Sequence, residues 1–250
     1  MHHWQKFQAA LIFYTCLPLH PQGMLDFRGI ALYAPLIGIL IGSAIATLDL
    51  GLAMLNPSSE LIYLRSLLTI FLGLLITGGL HLDGAMDTAD GLAVTDPNRR
   101  LEVMADSNTG AFGAIAGMTI LFLKVIALAA IKDQRFWILA SVWTWARWGQ
   151  LRAIMAYPYL KAIGKGKFHQ ENLHHWQVWI VAILLTIGNL AIGWFYQSIY
   201  LAIELTAISL SFSWAIGAWL NRQLGGQTGD TYGAIVEWTE ALSLCAIAFL

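Results

Sequence analysis

Charge is scarce in this sequence: 12% of its 250 residues are Asp, Glu, Lys or Arg, against roughly 25% in average soluble domains. Hydrophobic residues make up 58%, and the mean hydropathy is +0.63, so a soluble globular chain is excluded and a membrane protein is expected. The net charge of -1 offers no surplus of Lys and Arg for a phosphate backbone, which excludes nucleic acid as a partner. Cysteine is scarcer still, with two residues. Cys16 and Cys245 stand at opposite ends without a CxxC or Cys/His spacing, so neither zinc nor thiol redox chemistry is indicated. Internal repeats, low-complexity tracts and linkers are also missing, and residues 1–250 read as a single domain. The opening MHHWQKFQAALIFYTCLPLH lacks an A-x-A-like cleavage site and reads as a retained amphipathic, interfacial helix.

What is abundant is long apolar sequence. A spanning helix needs about 20 mainly apolar residues, and windows near 31–55, 62–80, 111–131, 136–156, 176–196, 200–220 and 232–250 qualify. The expected fold is all-α, a polytopic transmembrane helical bundle of about seven spans in contact with membrane lipid. Lys6, Arg28, Arg99, Arg100, Lys161, Lys165, Lys167 and Arg222 then share one side of the membrane, while Arg65, Lys132 and Arg135 occupy the other. The positive-inside bias puts the first group in the cytoplasm, together with the long polar connections 81–110, 157–175 and 221–231. An active site is therefore expected on the cytoplasmic face.

The first of these connections begins GGLHLDGAMDTADGL, residues 78–92. If the helix continues from the span before it, Asp83, Asp87 and Asp90 fall at i, i+4 and i+7 on one face. Two unit negative charges about 6 Å apart repel by roughly 2–3 kcal/mol at an effective dielectric near 20, so a positive species is expected among them. Hard oxygen ligands suit Mg²⁺ or Mn²⁺. A solvated acidic helix end is the plainer reading. Gly78, Gly79, Gly84 and Gly91 weigh against it, because each glycine costs a helix about 1 kcal/mol unless something must approach closely. The spacing D-x3-D-x2-D-G does not fit an EF-hand.

Asp106 supplies a fourth carboxylate from ADSNTGAFG, a loop feeding a helix N-terminus whose free N–H groups, at Gly110 and Gly113, suit phosphate oxygens. An N-cap with tight glycine packing explains the same letters. KAIGKGKFHQENLHH, from Lys161, carries three lysines able to reach an anion, though it lacks the P-loop pattern and also serves as a topology signal. His169, His174 and His175 read as interfacial residues. In LGGQTGDTYGAIVEWTE, Asp230 and Glu237 share a helical face. An acid within a span is expensive, so Glu237 should face a polar cavity or an ion-pair partner, with Lys124, Arg147 and Arg152 as candidates.

Taken together, GGLHLDGAMDTADGL, RRLEVMADSNTGAFG, AIGKGKF and LGGQTGDTYGAIVEWTEAL resemble, in the same order and almost from end to end, the cobalamin synthase family, the adenosylcobinamide-GDP ribazoletransferases of bacteria and archaea. The resemblance implies a Mg²⁺-dependent enzyme of the bacterial inner membrane. Its substrates would be adenosylcobinamide-GDP and alpha-ribazole or its 5'-phosphate, and GMP would be released. On that footing Asp83, Asp87, Asp90 and Asp106 are expected to hold Mg²⁺ at the diphosphate, and Asp90 or Asp106 to accept the proton of the attacking 5'-hydroxyl. Lys165 and Lys167 would steady the guanylyl phosphate. Asp230 and Glu237 would complete the metal shell or position the ribazole, and Gly110 and Gly113 would contact substrate phosphate. The oligomeric state is left open, a homo-oligomer included. One departure stands out: Ala105-Asp106-Ser107-Asn108 replaces the family's K-D-S-R, which removes two positive charges and shifts phosphate binding toward the lysine loop or toward Arg99 and Arg100.

Two rivals remain. A CDP-alcohol phosphotransferase also gathers aspartates around metal, but Val94-Thr95 stands where its pattern needs Ala-Arg, and the spacing then diverges. A cation-coupled transporter would prefer acids at mid-span and discontinuous helices.

Overall fold

The computed structural model describes residues 2–21, 24–161 and 173–250. Among them the chain is all-α: α1 (His2–Tyr14), α2 (Ala34–Leu55), α3 (Ile62–Thr77), α4 (Leu80–Ala93), the short α5 (Arg100–Val103), α6 (Ala111–Ala130), α7 (Arg135–Ala156), α8 (His175–Phe195), α9 (Ile199–Leu224) and α10 (Gly229–Ile247). Local sequence sets the boundaries. Pro35 sits in the first turn of α2, where its missing N–H does no harm. Thr228 and Thr231 form a reciprocal cap at the start of α10: the Thr231 N–H donates to Thr228 Oγ1 (3.2 Å) and the Thr228 N–H to Thr231 Oγ1 (2.8 Å). That cap places Asp230 in the first turn.

Among the described residues, five stretches are long and apolar enough to cross a membrane: Ile30–Leu55, Ser59–Thr77, Ala111–Ala130, His175–Phe195 and Ile199–Leu224. The windows at 136–156 and 232–250 also form helices of spanning length, α7 and α10, but their charges keep them below the same apolarity. Packing explains how they tolerate those charges. These two helices form the centre of the bundle, with α2, α9 and α10 around α7, and α4, α6 and α9 around α10. Trp145, Arg147 and Trp148 are all but inaccessible. A helix enclosed on every side needs no apolar stripe, because its neighbours, and not lipid, meet its polar groups. The outer helices show the reverse, with Phe71 on α3, Phe122 on α6 and Leu184 on α8 exposed.

Each buried charge has a partner. On α10, Glu237 Oε2 accepts from Lys124 Nζ at 2.6 Å, Glu240 binds the same Lys124, and Arg147 Nη1 donates to Glu240 Oε1 at 2.6 Å. This is the ion-pair outcome for Glu237, with two cations facing two anions. Arg152, the remaining candidate, instead lies over the Trp214 ring, 3.6 Å from its centroid. Asp49 on α2 is clasped by Arg65 (2.7 Å) and Arg135 (2.6 Å). The helix expected at the N-terminus is present as α1, with Ala9, Ala10 and Tyr14 buried against the bundle.

One expectation about continuity is corrected. The acidic segment does not prolong the preceding span, because Gly78 and Gly79 both take left-handed backbone conformations, with φ of 62° and 75°, and end α3. Residues with a Cβ rarely adopt that geometry, and this turn is what the two glycines are for. A separate helix, α4, then carries the aspartates.

Candidate active site

Asp83, Asp87 and Asp90 lie on α4 as the spacing predicts, and α10 packs against that helix. Two glycines make the contact close. A Cβ on Gly84 would stand 2.8 Å from the Asp230 carbonyl oxygen and 2.9 Å from its Cα, while one on Gly233 would stand 2.6 Å from the His81 carbonyl oxygen. Near-touching backbones bring Asp230 to the α4 stripe. The consequence appears at Asp87, whose carboxyl is pushed up to about 6, first by partial burial and then by the charges of Asp83, Asp230 and Asp90, with Lys161 opposing. Asp230 thus joins a crowd of carboxylates that, among the described residues, Lys161 helps to offset.

Lys161 reaches that position through backbone pairing. Tyr159 and Gln227 form an isolated bridge, in which the Leu160 N–H donates to Gln227 O (2.9 Å) and the Gln227 N–H to Pro158 O (2.8 Å). The segment after α7 is thereby laid along the entry to α10, and Lys161 Nζ donates to Asp230 Oδ2 at 3.0 Å. Thr228 Oγ1 donates to the same oxygen at 3.2 Å. No spacing signal links Lys161 to Asp230, because the two residues are 69 positions apart. Lys165 and Lys167 lie outside the described residues.

Asp90 has a different task. Its Oδ2 accepts from the Gly110 N–H (2.7 Å) and its Oδ1 from the Gly113 N–H (2.8 Å). The first turn of α6 does bind an anion, as a helix N-terminus should, but the anion is a carboxylate of α4. Gly110 and Gly113, expected to contact substrate phosphate, have these two amides engaged, and Asp90, expected to hold metal and accept a proton, has both oxygens hydrogen-bonded.

Asp106 is not brought into the crowd around Asp87. It is exposed, and its Oδ1 accepts from the Asn108 N–H (3.0 Å) and Asn108 Nδ2 (2.8 Å) in a local turn that holds its carboxyl below the usual range. The structure puts Asp230 where the sequence suggested Asp106. Glu237 is likewise absent from the group: α10 runs antiparallel past α4, so with Asp230 beside Gly84 and Gly233 beside His81, Glu237 lies a further turn toward the bundle interior. Among the described residues, no three His, Cys, Asp or Glu side chains are drawn together tightly enough to form a preassembled metal cage.

The donors nonetheless suit a hard divalent cation. Mg²⁺ is commonly held by one or two carboxylates together with substrate phosphates and water, and Asp83 and Asp87, one turn apart, supply such a pair. Partial burial, with repulsion from Asp83, Asp230 and Asp90 added to it, disfavours the charged form of Asp87, and a bound cation would offset that cost.

Comparison with known proteins is consistent along the chain. Residues 6–248 match the family described as cobalamin-5-phosphate synthase. An adenosylcobinamide-GDP ribazoletransferase of a Synechococcus sp. is 51% identical over 240 residues, covering 96% of this chain and 94% of the relative. Proteins of the same name from Trichormus variabilis and a Synechocystis sp. are 47% and 42% identical over 246 residues each, covering 97% of this chain and 96% and 94% of theirs. No solved structure matches. By both the extent of the family match and the identity to these relatives, the chain belongs to the cobalamin-5-phosphate synthase family.

Proposed function

We infer that this chain is a membrane-embedded adenosylcobinamide-GDP ribazoletransferase, which joins adenosylcobinamide phosphate to alpha-ribazole or its 5'-phosphate in the final step of cobalamin synthesis and releases GMP. The observation that carries the mechanism is the convergence of Asp83, Asp87 and Asp230 across the α4–α10 contact. Asp83 and Asp87 would hold Mg²⁺, which when bound neutralises charge on the diphosphate. The bond to be made runs to the phosphorus nearer cobinamide from a ribose hydroxyl of ribazole that is free in both acceptors. That excludes the 5'-oxygen, because it is already esterified in the 5'-phosphate. The bond broken is the one from the same phosphorus to the GMP oxygen.

Asp230 is the proton acceptor in this reading. Its Oδ2 is steadied by Lys161 and Thr228, and its Oδ1, which has no partner among the described residues, is placed to take the proton of the attacking ribose hydroxyl. Asp90 serves less well because both of its oxygens accept from the Gly110 and Gly113 amides, and Asp106 because it is exposed and is not among the carboxylates that act on Asp87. Asp90 instead acts as a positioning residue that ties α4 to α6. Lys161, and beyond the described residues Lys165 and Lys167, would meet the negative phosphates.

The site faces the cytoplasm of a bacterial inner membrane in this reading. Arg100 Nη1 donates to Gln223 O (2.8 Å) and Lys161 pairs with Asp230, so basic residues collect at the end of the bundle that carries the aspartates, in keeping with the positive-inside rule. Purified protein in nanodiscs, given adenosylcobinamide-GDP, alpha-ribazole and Mg²⁺, is expected to release GMP in proportion to the cobalamin formed. No release with or without Mg²⁺ would overturn the reading.

A further inference from the structure

A cavity of about 440 Å³ opens directly beside Asp83 and Asp230 and extends among α1, α4, α7 and α10. His81, Gln150 and Tyr232 line it, and all three are buried, with exposures of 2%, 6% and 4%. His81 Nδ1 and Nε2, Gln150 Oε1 and the Tyr232 hydroxyl have no hydrogen-bond partner among the described residues. A buried polar atom left this way costs about 1–3 kcal/mol, and native proteins hold few of them. Four such atoms, contributed by three different helices to one cavity, are not explained by packing, whereas a ligand that supplies the missing partners explains them together.

The walls narrow the chemistry. Tyr14 stacks on His81 with centroids 6.2 Å apart and planes at 18°, and Tyr159 stacks on Tyr232 at 6.3 Å and 22°. Phe13 and Ile154 add apolar surface. Rings held by other rings favour a flat, largely apolar guest. A neutral histidine offers one donor and one acceptor, tyrosine offers either, and Gln150 Oε1 accepts.

We propose that this cavity seats the heterocyclic base of the acceptor nucleoside, the benzimidazole of ribazole, with the Tyr232 hydroxyl donating to its one free ring nitrogen and His81 and Gln150 meeting ribose hydroxyls. The assignment rests on the transferase reading above and adds to it a place for one substrate. Benzimidazole carries a single unsubstituted nitrogen for one of these groups, and the ribose attached to it carries hydroxyls for the others. Guanine presents several donors and acceptors around its edge, more than these side chains satisfy, and each left unmet would be penalised. Distance argues the same way: the base of ribazole is one sugar from its attacking oxygen, whereas guanine is separated from the reacting phosphorus by a sugar and a second phosphate. The corrin macrocycle, whose site would lie toward the upper end of the roughly 300–1,000 Å³ range for ligand pockets, is too large for the space.

The test combines KM measurements with direct binding, on full-length protein in nanodiscs. His81→Phe keeps a ring against Tyr14 while removing both nitrogens, and Tyr232→Phe removes one hydroxyl. Each is expected to raise the KM for alpha-ribazole by about tenfold, the equivalent of one good buried hydrogen bond, with the KM for adenosylcobinamide-GDP unchanged. Calorimetric titration with alpha-ribazole should show the same weakening, and GMP should not compete with it. An equal rise in both KM values, an unchanged ribazole KM, or displacement of ribazole by GMP would overturn the pocket assignment while leaving the transferase reading in place. Wild-type protein that binds ribazole but never forms GMP would overturn the transferase reading, and failure of the wild type to bind ribazole at all would overturn the pocket. If His81→Phe does not fold, the conservative Tyr232→Phe decides alone.

Discussion

Gly84 faces the backbone of Asp230 so closely that a methyl group in place of its hydrogen would stand 2.8 Å from the Asp230 carbonyl oxygen and 2.9 Å from Cα. Neither atom belongs to a flexible side chain, so the helices themselves would have to separate. Gly84→Ala is therefore expected to destabilise the protein by about 1–3 kcal/mol, as overpacked cores do. Because separation also withdraws Asp230 from α4, GMP release should fall more than tenfold, by an order-of-magnitude argument from misplacement of a reacting group by about 1 Å. Thermal melting and GMP assay on the same preparation check both parts.

Asp87 makes stability depend on pH in a defined direction. Its carboxyl is raised from an ordinary 3.8 to about 6, so across that interval the folded protein holds a proton that the unfolded chain has released. Metal-free protein is thus expected to lose stability as pH rises from about 4 to 6, with the full penalty present at pH 7. Asp87→Asn should flatten that dependence. Adding Mg²⁺ at pH 7 should restore stability in wild type and less in the variant, and stripping it with a chelator should reverse the gain. Melting temperatures from about pH 4 to pH 7.5, with and without Mg²⁺, are the measurement.

Asp90 joins two helices through a carboxylate whose two oxygens each accept from a backbone amide of the α6 entry. Asp90→Ala strands both N–H groups and is expected to cost about 2–4 kcal/mol, from two charge-assisted hydrogen bonds at a helix N-terminus. Asp90→Asn keeps one acceptor and should lie between. If Asp90 positions α4 without binding the cation, Mg²⁺ affinity measured on folded Asp90→Asn should change by less than about threefold, within the range of a modest electrostatic change. A loss of a hundredfold would instead place it among the ligands.

Glu237 separates structure from catalysis. It is buried and bound to Lys124, which also holds Glu240. Removing one member of a buried ion pair commonly costs about 3–5 kcal/mol. Glu237→Gln is expected to lower the melting temperature sharply while leaving the KM of both substrates unchanged in the protein that remains folded. A selective rise in the ribazole KM would return Glu237 to the substrate site.

The helices were largely legible from residue pattern, because burying an apolar surface in lipid requires an uninterrupted run of about 20 residues, and runs of that kind are visible one at a time. The break at Gly78–Gly79 was not. Glycine within a helix pattern signals either close approach or a turn, and only the paired positive φ angles choose the turn. The identity of α7 and α10 as the enclosed centre was hidden for a related reason: their charges lower the apolarity of the run, and whether such charges are tolerable depends on neighbours elsewhere in the chain.

By itself the sequence determined the membrane class, the α-helical architecture, the family and the one-faced stripe of Asp83, Asp87 and Asp90, because periodicity along a single helix is a local property. Tertiary structure decided which distant groups meet that stripe. It brought Asp230 to the aspartates through the glycine contact and Lys161 to Asp230 through the Tyr159–Gln227 bridge. It also turned Asp106 onto Asn108, bound Gly110 and Gly113 to Asp90, and gave Glu237 to Lys124. The physical reason is that a buried or crowded charge settles on whichever partner the packing of helices presents, and that choice is made across the bundle, between residues that no spacing along the chain connects.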